Sequence, residues 1–143
     1  MQLTLEEMEL IERSFERLKR ADVHFAEYFY DCLFQMAPLI KPMFKSDRKV
    51  LEMHFHALIT TAVEQIHQFD RLRDTLFDLG AKHRDFNVEE SQFSIVKSAF
   101  LLSIEYQLKA HSNRETITAW GKYFDQIAQI MIAGLNATQR NSA

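Results

Sequence analysis

Apolar residues recur at three- and four-residue steps along nearly the whole chain. Leu5, Met8, Ile11, Phe15 and Leu18 mark the first such stretch. Thr4 and Glu7 ahead of it form a capping-box pattern, so an amphipathic helix is predicted to about Lys19. Asp22 is placed to cap a second helix with Phe25, Phe29, Leu33 and Met36 on one face, ended by Pro38. The two prolines of "APLIKPMFKSD" suit a short helix from Pro38 and a turn near Pro42 to Phe44. A long helix follows from about Asp47 to Gln68, its stripe Leu51, Phe55, Leu58, Ile59, Ala62 and Ile66. Leu72, Leu76, Leu79 and His83 then share one helical face until "RDFNVEE" breaks it. Val88 to about Lys109 is predicted helical, with Phe93, Val96, Phe100 and Ile104 inward. Ser112 and Glu115 form a second capping-box pattern. It opens a last helix to about Ala137, striped by Trp120, Phe124, Ile127, Met131 and Leu135, with a polar tail beyond. The expectation is one all-α domain of six or seven unequal helices over residues 1–143, which fits a simple four-helix bundle poorly.

Composition sharpens this picture. Three Gly and two Pro in 143 residues leave few breakers, as long helices require. Twelve Phe give more aromatic surface than a small bundle needs, which points to an apolar cavity or ligand face, or to an aromatic core that fills itself. The net charge of −3 comes with no basic stripe, which argues against nucleic acid. The lone Cys32, in an apolar stretch, reads as a small buried hydrophobe with no internal disulfide partner. The N-terminus is acidic and amphipathic, unlike a signal peptide, and no apolar run reaches membrane-spanning length. The expected setting is the cytoplasm.

His83 carries the candidate chemistry. An isolated histidine on an apolar face reads first as a core residue satisfied by a backbone carbonyl. At a helix end, however, carbonyls lack intrahelical partners, and one can accept the N–H of the ring. The other nitrogen is then neutral and free to bind a metal. Gly80 and Ala81 keep the flank small, as if to let a flat ligand approach. Zinc needs four convergent N or S ligands. His54 and His56 splay roughly 200° apart on a helix and cannot chelate together. His67 reads as surface. One histidine facing a Phe-rich space instead suits the axial position of haem iron.

"FYDCLFQMAPLIKPMFKSD" (29–47), "LGAKHRDFNVEESQF" (79–93) and "AWGKYFDQIAQIMI" (119–132) closely resemble the bacterial single-domain globins and the globin domain of flavohaemoglobins. The similarity runs from about Leu5 to Leu135 and needs no gap between Phe55 and His83. The resemblance implies a globin fold, helices packed three over three around haem b. His83 takes the place of the proximal iron ligand, Phe44 that of the Phe stacked on the haem, and Tyr30 that of the distal Tyr that hydrogen-bonds O2. Leu79, Val88 and Phe93 are expected as further cofactor contacts.

Two departures from the family pattern follow. On the distal helix, a gap-free count from His83 puts Leu51 where many relatives carry Gln or His, with Phe55 one turn on. His54 is adjacent, as a solvated residue, a propionate contact, a second donor or a sixth iron ligand. A three-residue shift in the loop after Phe44 would move His54 into the distal place. On the proximal side, the Tyr and Glu that surround the histidine in flavohaemoglobins are matched by Phe93 and Leu135. Without a carboxylate partner the electronic push that favours O–O cleavage is weaker. Peroxidase-like chemistry and efficient NO dioxygenation are correspondingly disfavoured, and turnover would need a separate reductase.

The resemblance thus implies reversible binding of O2, and of CO and NO, for carriage, sensing or NO removal. A haem-free interaction module is the alternative, against which the joint presence of His83, Tyr30 and Phe44 argues. A sensor input domain from a longer chain is a third reading. A homodimer through the last two helices is expected from their broad apolar faces.

Overall fold

The structure is a computed structural model that describes residues 2–20 and 25–141. Among these residues the chain forms six α-helices, the last five linked in turn by short 3₁₀ segments, and no strand. Helix α1 spans Leu5–Arg20 and α2 spans Phe25–Met36. The expected cap at Asp22 lies outside the described residues. In α1 the capping box forms as read: Glu7 N–H donates to Thr4 Oγ1 at 3.1 Å, and Thr4 N–H donates to Glu7 Oε1 at 2.9 Å. Leu5 is 75% exposed, however, and Leu3 takes its place in the core with Ile11, Phe15 and Leu18. Met36 is likewise exposed, because it ends its helix where the covered face runs out.

Pro38–Met43 forms a 3₁₀ segment with Pro38 at its start, where a missing N–H costs nothing. Helix α3, Arg48–Glu64, stops short of the expected Gln68. A 3₁₀ segment, Ile66–Leu72, replaces its last turn, with Gln68 at the non-helical φ −135°, ψ 49°. Ile66 and Leu72 are both buried. Six residues apart on a straight helix they would stand about 240° from one another, so the break is what turns both inward.

Helix α4 spans Arg73–Lys82 and leads through a 3₁₀ turn, His83–Phe86, to a left-handed Asn87, a residue that tolerates this conformation. Helix α5 is Gln92–Leu108, starting later than Val88. Residues 88–91 form a turn, in which Gln92 Oε1 accepts the Glu89 N–H at 2.9 Å. Helix α6 is Arg114–Asn141, extending past the expected end at Ala137. Its cap is not Ser112, which is extended, but Asn113, whose Oδ1 accepts the Thr116 N–H at 2.8 Å. The 3₁₀ turn at Lys109–His111 takes up the intervening residues and sets Asn113 before the first turn.

Helix α4 lies along α6, α2 along α5, and α1 over α6. The Trp120 indole N–H on α6 donates to Ser14 Oγ on α1 at 2.8 Å, and Lys122 Nζ pairs with Glu7 Oε2 at 2.6 Å. Buried side chains from all six helices form one cluster. Cys32 is half-buried rather than buried, and burial and Asp31 push its thiol pKa up. Among the described residues no helix is long and apolar enough to cross a membrane.

Candidate functional site

A cavity of about 370 Å³ opens between α2, α3, α4, α5 and α6. Its wall is aromatic. Phe29 on α2 and Phe55 on α3 stack at 4.1 Å between centroids and 4° between planes. Behind them, Phe25 continues the stack at 5.9 Å. Phe44 is positioned by the proline-bearing 3₁₀ segment. Its N–H bonds the Lys41 carbonyl at 3.1 Å, and its ring meets Tyr30 edge-on at 5.8 Å and Phe34 at 5.3 Å.

All nine residues expected to contact a cofactor line this cavity: His83, Phe44, Tyr30, Leu51, Phe55, His54, Leu79, Val88 and Phe93. Neither Leu51 nor His54 is set apart by position, since both are on the lining. His54 is largely exposed, at the rim, whereas Leu51 and Phe55 are half-buried. His56 is exposed and outside the lining, and His67 pairs with Glu12 at 3.2 Å on the surface. Leu135 is buried but does not reach the cavity.

His83 caps the C-terminus of α4, and its Nδ1 lies 2.7 Å from the Leu79 carbonyl oxygen. A carbonyl only accepts, so Nδ1 carries a hydrogen there, which leaves Nε2 of the neutral ring as the nitrogen a metal would take. Among the described residues no three His, Cys, Asp or Glu side chains converge to form a metal cage, and no acidic side chain lines the cavity. A metal at this histidine would therefore have to bring its other ligands with it.

Gly80 does not serve as clearance for a flat ligand. A β-carbon there would overlap the Met131 carbonyl group on α6. The glycine is set by helix–helix contact. Helical periodicity identifies the face on which Gly80 lies but not what packs against it.

Tyr30 is 6% exposed, its ring in contact with Phe29, Phe34, Phe44 and Phe55. Its hydroxyl has no hydrogen-bond partner among the described residues. Burial, and then the Glu52 carboxylate, push its pKa up to about 12 against an opposing effect of Arg48. Arg48 in turn bridges Asp31 at 2.7 Å and Glu52 at 2.9 Å, and donates to the Glu27 carbonyl at 2.9 Å, which ties the start of α3 to α2 beside Tyr30.

The wall also includes residues not singled out from the sequence. Trp120, Phe124, Ile127 and Met131 belong to the predicted stripe of α6, and that stripe was their only signal. Tyr123 lies off it, and its hydroxyl donates to the Ala62 carbonyl on α3. Ile40, Met43, Lys45, Ser46 and Phe86 come from turns, where periodicity gives no face.

A family profile described as Globin matches residues 27–131. A rice protein (Oryza sativa subsp. indica) named anaerobic nitrite reductase NSHB5 is 30% identical over 131 residues, which cover 84% of this chain and 87% of the rice protein. Among solved structures, a bacterial globin from Campylobacter jejuni superposes with a TM-score of 0.79 at 21% identity, covering 96% of this chain and 99% of that one. An engineered carbene transferase from Rhodothermus marinus superposes with a TM-score of 0.88 at 15% identity, covering 98% of both chains. At these identities the two structures show a shared fold.

Proposed function

The chain belongs to the globin family, and on that premise we propose that it holds haem b through His83 and reversibly binds O2, with CO and NO as further ligands. Haem, once held, supplies a ferrous iron that accepts a diatomic gas. His83 would hold the iron through Nε2, with Nδ1 engaged by the Leu79 carbonyl. Phe44, Leu79, Val88 and Phe93, which line the cavity, would wall the haem, and Leu51 and Phe55 would keep water out. Tyr30 presents a hydroxyl to the gas, a donor that favours the polarised O2 over CO. His54 at the rim would serve as a second donor, a haem-propionate contact or a further iron ligand. The observation that carries this reading is one apolar cavity holding both an imidazole committed at Nδ1 and a buried, unpartnered phenol. With Nδ1 of His83 engaged by a backbone carbonyl rather than a carboxylate, the site favours holding a gas over splitting a peroxide.

The visible spectrum of the purified protein tests it. A strong Soret band is expected, lost in His83→Ala and restored by added imidazole. A colourless protein that takes up no hemin overturns the reading.

The name of the rice relative raises a second use of the same site, reduction of nitrite. That reaction takes two protons and one electron to release NO and water; ferrous iron of a bound haem would give the electron in becoming ferric, and a separate reductase would restore it. Imidazole is the side chain suited to pass protons at neutral pH, and His54 lines the cavity at its open side. Anaerobic NO release from nitrite, measured with an NO electrode and slowed in His54→Leu, is the result expected of this use.

A further inference from the structure

Helices α4 and α6 meet backbone to backbone at two glycines. A β-carbon on Gly80 of α4 would overlap the carbonyl group and Cα of Met131 on α6. A β-carbon on Gly134 of α6 would overlap the Phe77 carbonyl on α4 and come within 3.2 Å of Ala81 N. Each helix thus seats a glycine against the other's main chain, and main chain cannot swing aside as a side chain can. The third glycine, Gly121, lies on α6 as well, but a β-carbon there would meet only side chains, Leu101 Cδ1 at 3.5 Å and Lys97 Cε at 3.6 Å.

The crossing is coupled to the cavity at both sides. His83 follows Gly80 by three residues and is hydrogen-bonded to Leu79, the residue just before that glycine. Met131, against which Gly80 rests, contributes its side chain to the cavity wall. A shift of α4 away from α6 therefore carries the imidazole with it.

We propose that the Gly80–Gly134 crossing fixes how far His83 reaches into the cavity, which makes both glycines positioning residues for the iron ligand. This rests on the reading of His83 as that ligand. A packed interface answers added volume by moving apart. A β-carbon at either glycine is thus expected to displace the imidazole from its seat and weaken its hold, although neither residue touches it.

The test compares haem-loaded Gly80→Ala, Gly134→Ala and Gly121→Ala proteins with wild type. Two readouts are taken: the metal–imidazole stretching band of the ferrous protein by resonance Raman, and the rate of haem transfer to an acceptor apoglobin. Gly80→Ala and Gly134→Ala are expected to lower the band frequency and speed haem loss roughly ten- to hundred-fold, as when the orienting support of a ligand is lost. Gly121→Ala is expected to move neither. Unchanged band and haem retention in the two crossing variants, or an equal shift in Gly121→Ala, overturns the proposal. Where a crossing variant does not fold, hydrogen exchange on the wild-type holoprotein decides: residues 77–83 are expected to be as protected as residues 99–104, and rapid exchange at 77–83 overturns it. His83→Gly with and without imidazole separates the two readings, since a band that survives the loss of His83 in the absence of imidazole removes the ligand assignment itself.

Discussion

Tyr30 places a polar hydrogen among Phe29, Phe34, Phe44 and Phe55 and gives it nothing to bond among the described residues. The ring is buried, yet the hydroxyl oxygen stays reachable on a residue that lines the cavity, so it is free to bond a ligand seated there. One hydrogen bond to a strongly polarised acceptor contributes about 1.5–3 kcal/mol. Tyr30→Phe is therefore expected to speed O2 dissociation roughly ten- to hundred-fold while changing CO little, as read by stopped-flow ligand displacement. An unchanged O2 off-rate assigns the donor role to His54. Because the pKa is about 12, the proton stays in place and the wild-type off-rate should be flat through about pH 10. The same shift has a stability consequence. Above about pH 10 the unfolded phenol ionises while the folded one stays protonated until about 12, so stability falls as pH rises through that window. Tyr30→Phe should shallow this alkaline decline in urea denaturation.

At the scale of elements, periodicity placed the inward faces well. The face that ends at His83 and the stripe of α6 both appear where the three- and four-residue spacing puts them. Phase along a helix follows from covalent geometry, so one sequence suffices to read it. Ends depend on non-local burial. The break after Glu64 exists because Ile66 and Leu72 must both turn inward, a demand that no local window carries. Gly80 failed for a related reason, because its neighbour is main chain from another helix, which has no side-chain signature. The cap of α6 shows the same limit at the level of one residue. Ser112 matched the motif, but the preceding 3₁₀ turn assigns the role to Asn113. Asn113→Ala should accordingly cost about 1 kcal/mol in chemical denaturation. Ser112→Ala should cost only a few tenths, the scale of surface substitutions.

At the scale of the molecule, Glu7 joins its two ends. One carboxylate oxygen caps α1 at Thr4, and the other pairs with Lys122 on α6 at 2.6 Å. The Lys122 ammonium first, and the Thr4 N–H after it, hold the Glu7 carboxyl below its ordinary range. A carboxylate depressed in the folded state contributes stability that is complete above its unfolded pKa, about 4.3. That contribution is lost as pH falls through the folded value. Glu7→Gln is expected to lower the melting temperature slightly at neutral pH and to flatten the acid limb of stability below about pH 4.3. An acid limb as steep as that of wild type would assign the linkage to other carboxylates.

Trp120 is the chain's one tryptophan; it is 1% exposed and forms part of the cavity wall. Its emission therefore reports on a single place. With the indole shielded from water, the folded protein should fluoresce toward the blue, and any chromophore seated in the cavity should quench that light by energy transfer over a few ångströms. Occupancy of the cavity is then countable photon by photon, without a label and without altering a residue.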